Sequence, residues 1–108
     1  MKRIDLKVLT IATALTFVLG LSLSARAQSA ADLFKSKCAG CHAADGTGSK
    51  MGKMMGAHDF TTADVQKMSD AELTDIIANG KNKMPKYGDK LKPEDIKGLV
   101  AYIRTLKK

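Results

Sequence analysis

Cysteine is nearly absent from this chain: it has two, Cys38 and Cys41, separated by only two residues. The disulfide framework that staples many small secreted domains is thereby excluded. Proline is as scarce, with Pro85 and Pro93 the only two. After residue 27 no run reads as a β-strand, so the βαβ setting of a thioredoxin-type dithiol is missing. Aromatic residues are few; two Phe and two Tyr are scattered over residues 28–108. That segment holds 14 Lys and Arg against 10 Asp and Glu, a modest excess of +4 made almost entirely of lysine. Nucleic-acid binding calls for a denser basic stripe with aromatics among it, and is set aside. There are no internal repeats and no low-complexity tract.

Against these absences stands one dense cluster, Cys38-Ala39-Gly40-Cys41-His42. A C-x-x-C-H run reads as an attachment site for c-type haem. On a helix, positions 38, 41 and 42 share a face, so two thiols reach the haem vinyl groups while His42 rises to the iron. The cysteines are the tether and the histidine the proximal ligand. Zinc is the first rival and would need Cys38, Cys41, His42 and His58 together, because structural zinc takes four ligands. His58 lies in a glycine- and methionine-rich stretch without the usual second ligand pair. A dithiol or a plain disulfide is the other rival.

The first 27 residues have the three parts of a secretory signal. Lys2, Arg3 and Lys7 precede an apolar stretch from Val8 to Leu23, and Ala25-Arg26-Ala27 supplies the small-x-small site. Cutting is expected before Gln28; an uncleaved membrane anchor is the alternative reading. Removal leaves 28–108 as a single domain. So short a chain builds a core with difficulty unless something staples it, and here the staple is the haem. The expected location is the periplasm, with no stable membrane insertion after cleavage.

The remaining pattern is helical. Ser29 is placed to cap a first helix running from about residue 30 into the motif, with Asp32 in its first turn. Residues 43–60 carry Gly46, Gly48, Gly52 and Gly56 and show no period, so they read as a loop wrapping the site. A short helical turn is expected near Thr62 to Lys67. Ser69-Asp70-Ala71-Glu72 is a capping box ahead of Leu73, Ile76 and Ile77, and Asn79-Gly80 stops that helix. Pro93 opens the last helix from the N1 position. Ile96, Leu99, Val100, Ile103 and Leu106 form its apolar stripe.

A redox haem that binds no external molecule needs its sixth position filled, and methionine favours the ferrous state. Residues 28–108 offer Met51, Met54, Met55, Met68 and Met84. The first three sit in the glycine-rich loop, and Met68 precedes a helix cap. Met84 follows a helix stop and is stiffened by Pro85, which pushes it into an extended conformation. It is the expected distal ligand, and His58 is the rival.

Taken together the chain resembles a small bacterial class I cytochrome c, monohaem and His/Met-ligated, over nearly all of residues 29–108. Phe34 looks like the family's first-helix aromatic, and Leu99 and Tyr102 like the pair on the last helix that crosses it. Asn79-Gly80-Lys81 and Met84-Pro85 match the sixth-ligand loop. The resemblance implies an all-α cytochrome c fold, its N- and C-terminal helices crossing and three to four short helices packed around one covalent haem c. Two departures stand out. Ala30 occupies the helix-contact position where the family usually has glycine. The loop after His42 also lacks the proline whose carbonyl commonly binds the ligand histidine, so a carbonyl around Lys50 to Gly52 is expected to take that bond.

The implied function is that of a soluble, monomeric electron carrier, not an enzyme, exchanging one electron with reductase and oxidase partners. Lys37, Lys81, Lys83 and Lys86 flank the ligand segments and could steer acidic docking patches. A haem c subunit docked in a larger dehydrogenase or oxidase complex uses the same chemistry but requires a contiguous apolar surface. A ligand-binding or catalytic haem requires an open sixth position.

Overall fold

The computed structural model describes residues 30–108; the expected signal, its cleavage site and the Ser29 cap lie outside the described residues. Residues 30–37 form α1, and after one non-helical residue Ala39–His42 form α2. The two are nearly one helix: Cys38 N–H donates to Phe34 at 2.9 Å, and His42 N–H to the Cys38 carbonyl at 2.9 Å. Then follow α3 (Lys50–Met54), α4 (Ala63–Gln66), α5 (Asp70–Asn79) and α6 (Pro93–Thr105). Among the described residues there is no strand, only an isolated bridge between Lys81 and Met84.

The helix boundaries follow the capping chemistry. The Ser69 hydroxyl accepts from Glu72 N–H at 3.1 Å, satisfying a first-turn donor that the helix itself leaves unpaired. The Asp95 carboxylate accepts from Lys92 N–H at 3.2 Å and closes the first turn of α6 behind Pro93. Gly80 ends α5 at φ 76° and ψ 169°; φ is positive as expected, but the extended ψ sends the chain straight out instead of round a left-handed cap.

The core lies where α1 crosses α6. Phe34 and Leu99 are its most deeply buried side chains, at 2% and 1% exposure. The Tyr102 ring lies 5.0 Å from that of Phe34, tilted by 48°, a spacing at which aromatic pairs attract. The crossing also accounts for Ala30. The glycine is on the opposite helix: a Cβ built on Gly98 would stand 3.4 Å from the Ala30 Cβ. The Ala30 methyl thus packs against Gly98 at the crossing. Leu73 and Ile77 of α5 join Ile96, Val100 and Ile103 in the same cluster. Arg104 then ties α6 to the entrance of α5, donating to the carbonyls of Gln66 and Met68 and to Asp70 at 2.8 Å.

The stretch 43–60 corrects one expectation. It contains a helical turn, α3, whose N-cap Ser49 accepts from Gly52 N–H at 3.0 Å. Gly52 is in that turn not for flexibility but for contact. Its buried face rests on α2, where a Cβ would come within 1.8 Å of the Cys41 carbonyl oxygen.

Candidate functional site

The C-x-x-C-H segment is held from behind by the loop that follows it. Its last carbonyls, which a helix end leaves without partners, are taken by residues 48 and 49. Gly48 N–H donates to His42 at 2.8 Å and Ser49 N–H to Cys41 at 2.9 Å. The Ser49 hydroxyl donates to Gly40 and Cys41 at 2.9 and 3.1 Å. Chain reversal begins at Ala43, whose φ is 63°.

The opposite wall is built by the segment after α5. Lys81 and Met84 exchange backbone hydrogen bonds at 2.9 and 3.3 Å, with Asn82 at φ 54° between them. Farther on, Tyr87 N–H and Gly88 N–H donate to the Ile77 and Ala78 carbonyls at 3.0 and 2.9 Å. Met84 is therefore held at both sides. The Tyr87 hydroxyl adds a link across the site, donating to the Lys37 carbonyl at 3.2 Å, just before Cys38.

Between these walls lies an apolar cavity of about 350 Å³, its open mouth included. Cys38, His42 and Met84 all line it, with Phe34, Ile77 and Leu99 behind them. Three of the four expected site residues thus share one space. Cys41 is not on the cavity wall; it is half-buried beside Gly52 and bonded to no other cysteine. His58, the rival ligand, is exposed and is not among the residues that line the cavity. Among the described residues no three His, Cys, Asp or Glu side chains are grouped to hold a metal ion, which removes the four-ligand zinc arrangement.

The electrostatics suit a flat, largely apolar guest. Burial pushes the Cys38 thiol up to about 11, so it stays protonated at neutral pH. Burial, and secondarily the charge of His58, lowers His42 below its usual value, which keeps the imidazole neutral, the form that binds metals. Its ring stacks on Phe60 at 4.4 Å and 24°. The buried Nδ1 of His42 has no hydrogen-bond partner, and such an atom costs about 1–3 kcal/mol until something satisfies it. The expected carbonyl around Lys50 to Gly52 does not reach it. α3 draws that stretch into its own helical bonds, with Met51 and Gly52 accepting from Met55 N–H. An apolar slot with a neutral imidazole, a thioether and a thiol on its walls fits a haem, so the residues present are suited to the group.

Fold and site together define a helical haem-binding domain. Residues 25–103 match the family described as cytochrome c oxidase, cbb3-type, subunit III. Cytochrome c6 of Bryopsis maxima is 36% identical over 68% of this chain and 83% of its own; cytochrome c6 of Anabaena variabilis shows the same identity and coverage. The cbb3-type oxidase subunit FixP of Azorhizobium caulinodans is 33% identical over 74% of this chain but only 27% of its own length. Among solved structures, the KustC0563 c-type cytochrome superposes with a TM-score of 0.69 at 35% identity, over 72% of this chain and 96% of that one. The chain belongs to the cytochrome c family, as a small class I monohaem member with one covalently attached haem c and an electron-transfer role.

Three residues play parts in the site that sequence reasoning did not foresee. Ser49 was readable as a helix cap, but the glycines around it mask the helix. Gly52 and Tyr87 act through contacts between segments distant in sequence, for which the sequence carries no signal.

Proposed function

We propose that the chain is a soluble periplasmic electron carrier, made with a cleaved signal at residues 1–27 and acting as the single domain 28–108. Cys38 and Cys41 are its thioether anchors, His42 the proximal ligand and Met84 the distal one. The observation that carries this reading is the meeting of Cys38, His42 and Met84 on one apolar cavity. The bound haem supplies one-electron exchange between Fe(II) and Fe(III).

The chain's own residues do the rest. Phe34 and Leu99, almost fully buried, exclude water from the slot, and a dry surround raises the energetic weight of every ligand contact. The Lys81–Met84 bonds and the Tyr87–Lys37 link hold the distal side in place. A preset ligand position keeps rearrangement on electron transfer small. Lys37, Lys81, Lys83 and Lys86 are all exposed beside the two ligand segments. They can attract a redox partner with an acidic patch, raising encounter rates in a salt-dependent manner. The domain acts as a monomer.

A second reading, a haem subunit docked in an oxidase complex, draws support from the partial likeness to FixP and from the exposed methionines of α3. The two separate on purification. A carrier leaves the periplasmic fraction alone and coloured, with a mass equal to residues 28–108 plus one haem and no free thiol. A colourless product with titratable thiols defeats both readings, and co-purification with an oxidase selects the second.

A further inference from the structure

Met51, Met54 and Met55 are exposed at 58%, 79% and 39%, and they are all of the exposed large hydrophobic side chains among the described residues. Isolated apolar residues at a surface need no explanation, but a contiguous group marks an interaction site. These three belong to one turn: Met55 N–H donates to the Met51 carbonyl at 3.1 Å. At about 100° per residue, Met55, Met51 and Met54 stand roughly 60°, 100° and 160° round the helix from Gly52. Gly52 is seated on Cys41, and the exposures rise in the same order. The three side chains therefore share one arc of about 100° on the solvent side of a turn whose inner face is fixed.

The turn is also preorganised. Ser49 caps it and bonds back to Gly40 and Cys41. Gly56, at φ 89°, terminates it, and Ala57 N–H returns to the Gly52 carbonyl at 2.8 Å. A set of ligands on a rigid element binds more tightly than the same ligands on a free loop.

We propose that Met51, Met54 and Met55 form a surface site for Cu(I), bound through three thioether sulfurs. Thioether is a soft, neutral donor and selects Cu(I) over harder cations. Lys50 and Lys53 belong to the turn and are exposed, and their positive charge disfavours a divalent ion; sulfur softness supplies the attraction. The site is separate from the cavity, since none of the three methionines lines it. It rests on the haem reading only in that attachment removes the two thiols as competing copper ligands.

The test uses the ferrous holoprotein, anaerobically, with Cu(I) partitioned against bathocuproine disulfonate. One copper per chain is retained, with sulfur as the nearest scatterer in X-ray absorption. Met51→Leu and Met54→Leu, which conserve bulk and apolarity, each weaken retention on the order of tenfold, the scale on which even outer-shell changes act at metal sites. The haem spectrum of each variant stays unchanged and reports that the fold is intact. Complete loss of copper from the parent protein to the chelator overturns the site. So does undiminished retention in the Met51→Leu/Met54→Leu/Met55→Leu variant, or a first shell of nitrogen and oxygen; the face would then be an apolar docking surface.

Discussion

The two loops that enclose the haem cavity are both rich in methionine or lysine, yet they treat their methionines in opposite ways. In the stretch after His42 the chain uses its backbone to hold the motif, with Gly48, Ser49 and Gly52 all spent on α2. Its three methionines are left to face water. In the stretch after Gly80 the backbone bonds instead to itself and to α5, and its one methionine is half-buried against the cavity. The residue type is the same. What differs is which face of the backbone is fixed and what that leaves for the side chain to meet.

Substitutions that damage one loop and spare the other sharpen this contrast. The largest effect is expected from Gly52→Ala, whose added carbon overlaps the Cys41 carbonyl at 1.8 Å. The cost should reach or exceed the top of the ~1–3 kcal/mol range of overpacking, seen as a collapsed yield of holoprotein. Met84→Ala should leave the thioether-bound haem in place while admitting external ligands, with a lower reduction potential in voltammetry. An unchanged potential would move the distal ligand elsewhere. Gly80→Ala combines a positive φ of 76° with a contact of 2.7 Å to the Met84 carbonyl. A loss of about 1–3 kcal/mol should appear in denaturant melts, with the Met84 side released before the rest. Smallest is Tyr87→Phe, which removes the bond to Lys37. It should cost about 0.5–1.5 kcal/mol, and faster exchange of an added ligand at the distal position is its specific signature.

Much of this architecture was readable from local chemistry. Ser69 and Pro93 mark helix starts because capping depends on adjacent residues, and the α6 stripe is visible because burial repeats with the helical period. C-x-x-C-H and Met84-Pro85 are likewise compact. The misses are of another kind. α3 was hidden because Gly52 and Gly56 read as helix breakers, although one is an obligatory contact and the other a terminus. The packing of Ala30 against Gly98 joins the two ends of the domain and could not be read from either helix alone. The carbonyl assigned to His42 could not be located from sequence, since its candidates were already committed to a helix that the sequence did not reveal. The Tyr87–Lys37 bond joins positions far apart in the chain and leaves no local trace.

The central claim, that a haem bound at Cys38 and Cys41 is closed by His42 on one side and Met84 on the other, is tested most directly by near-infrared spectroscopy of the ferric holoprotein beside its Met84→Leu variant. The account predicts a methionine-sulfur-to-iron band in the parent that vanishes in the variant while the haem remains attached. The same band persisting in Met84→Leu, or missing from the parent, would contradict it.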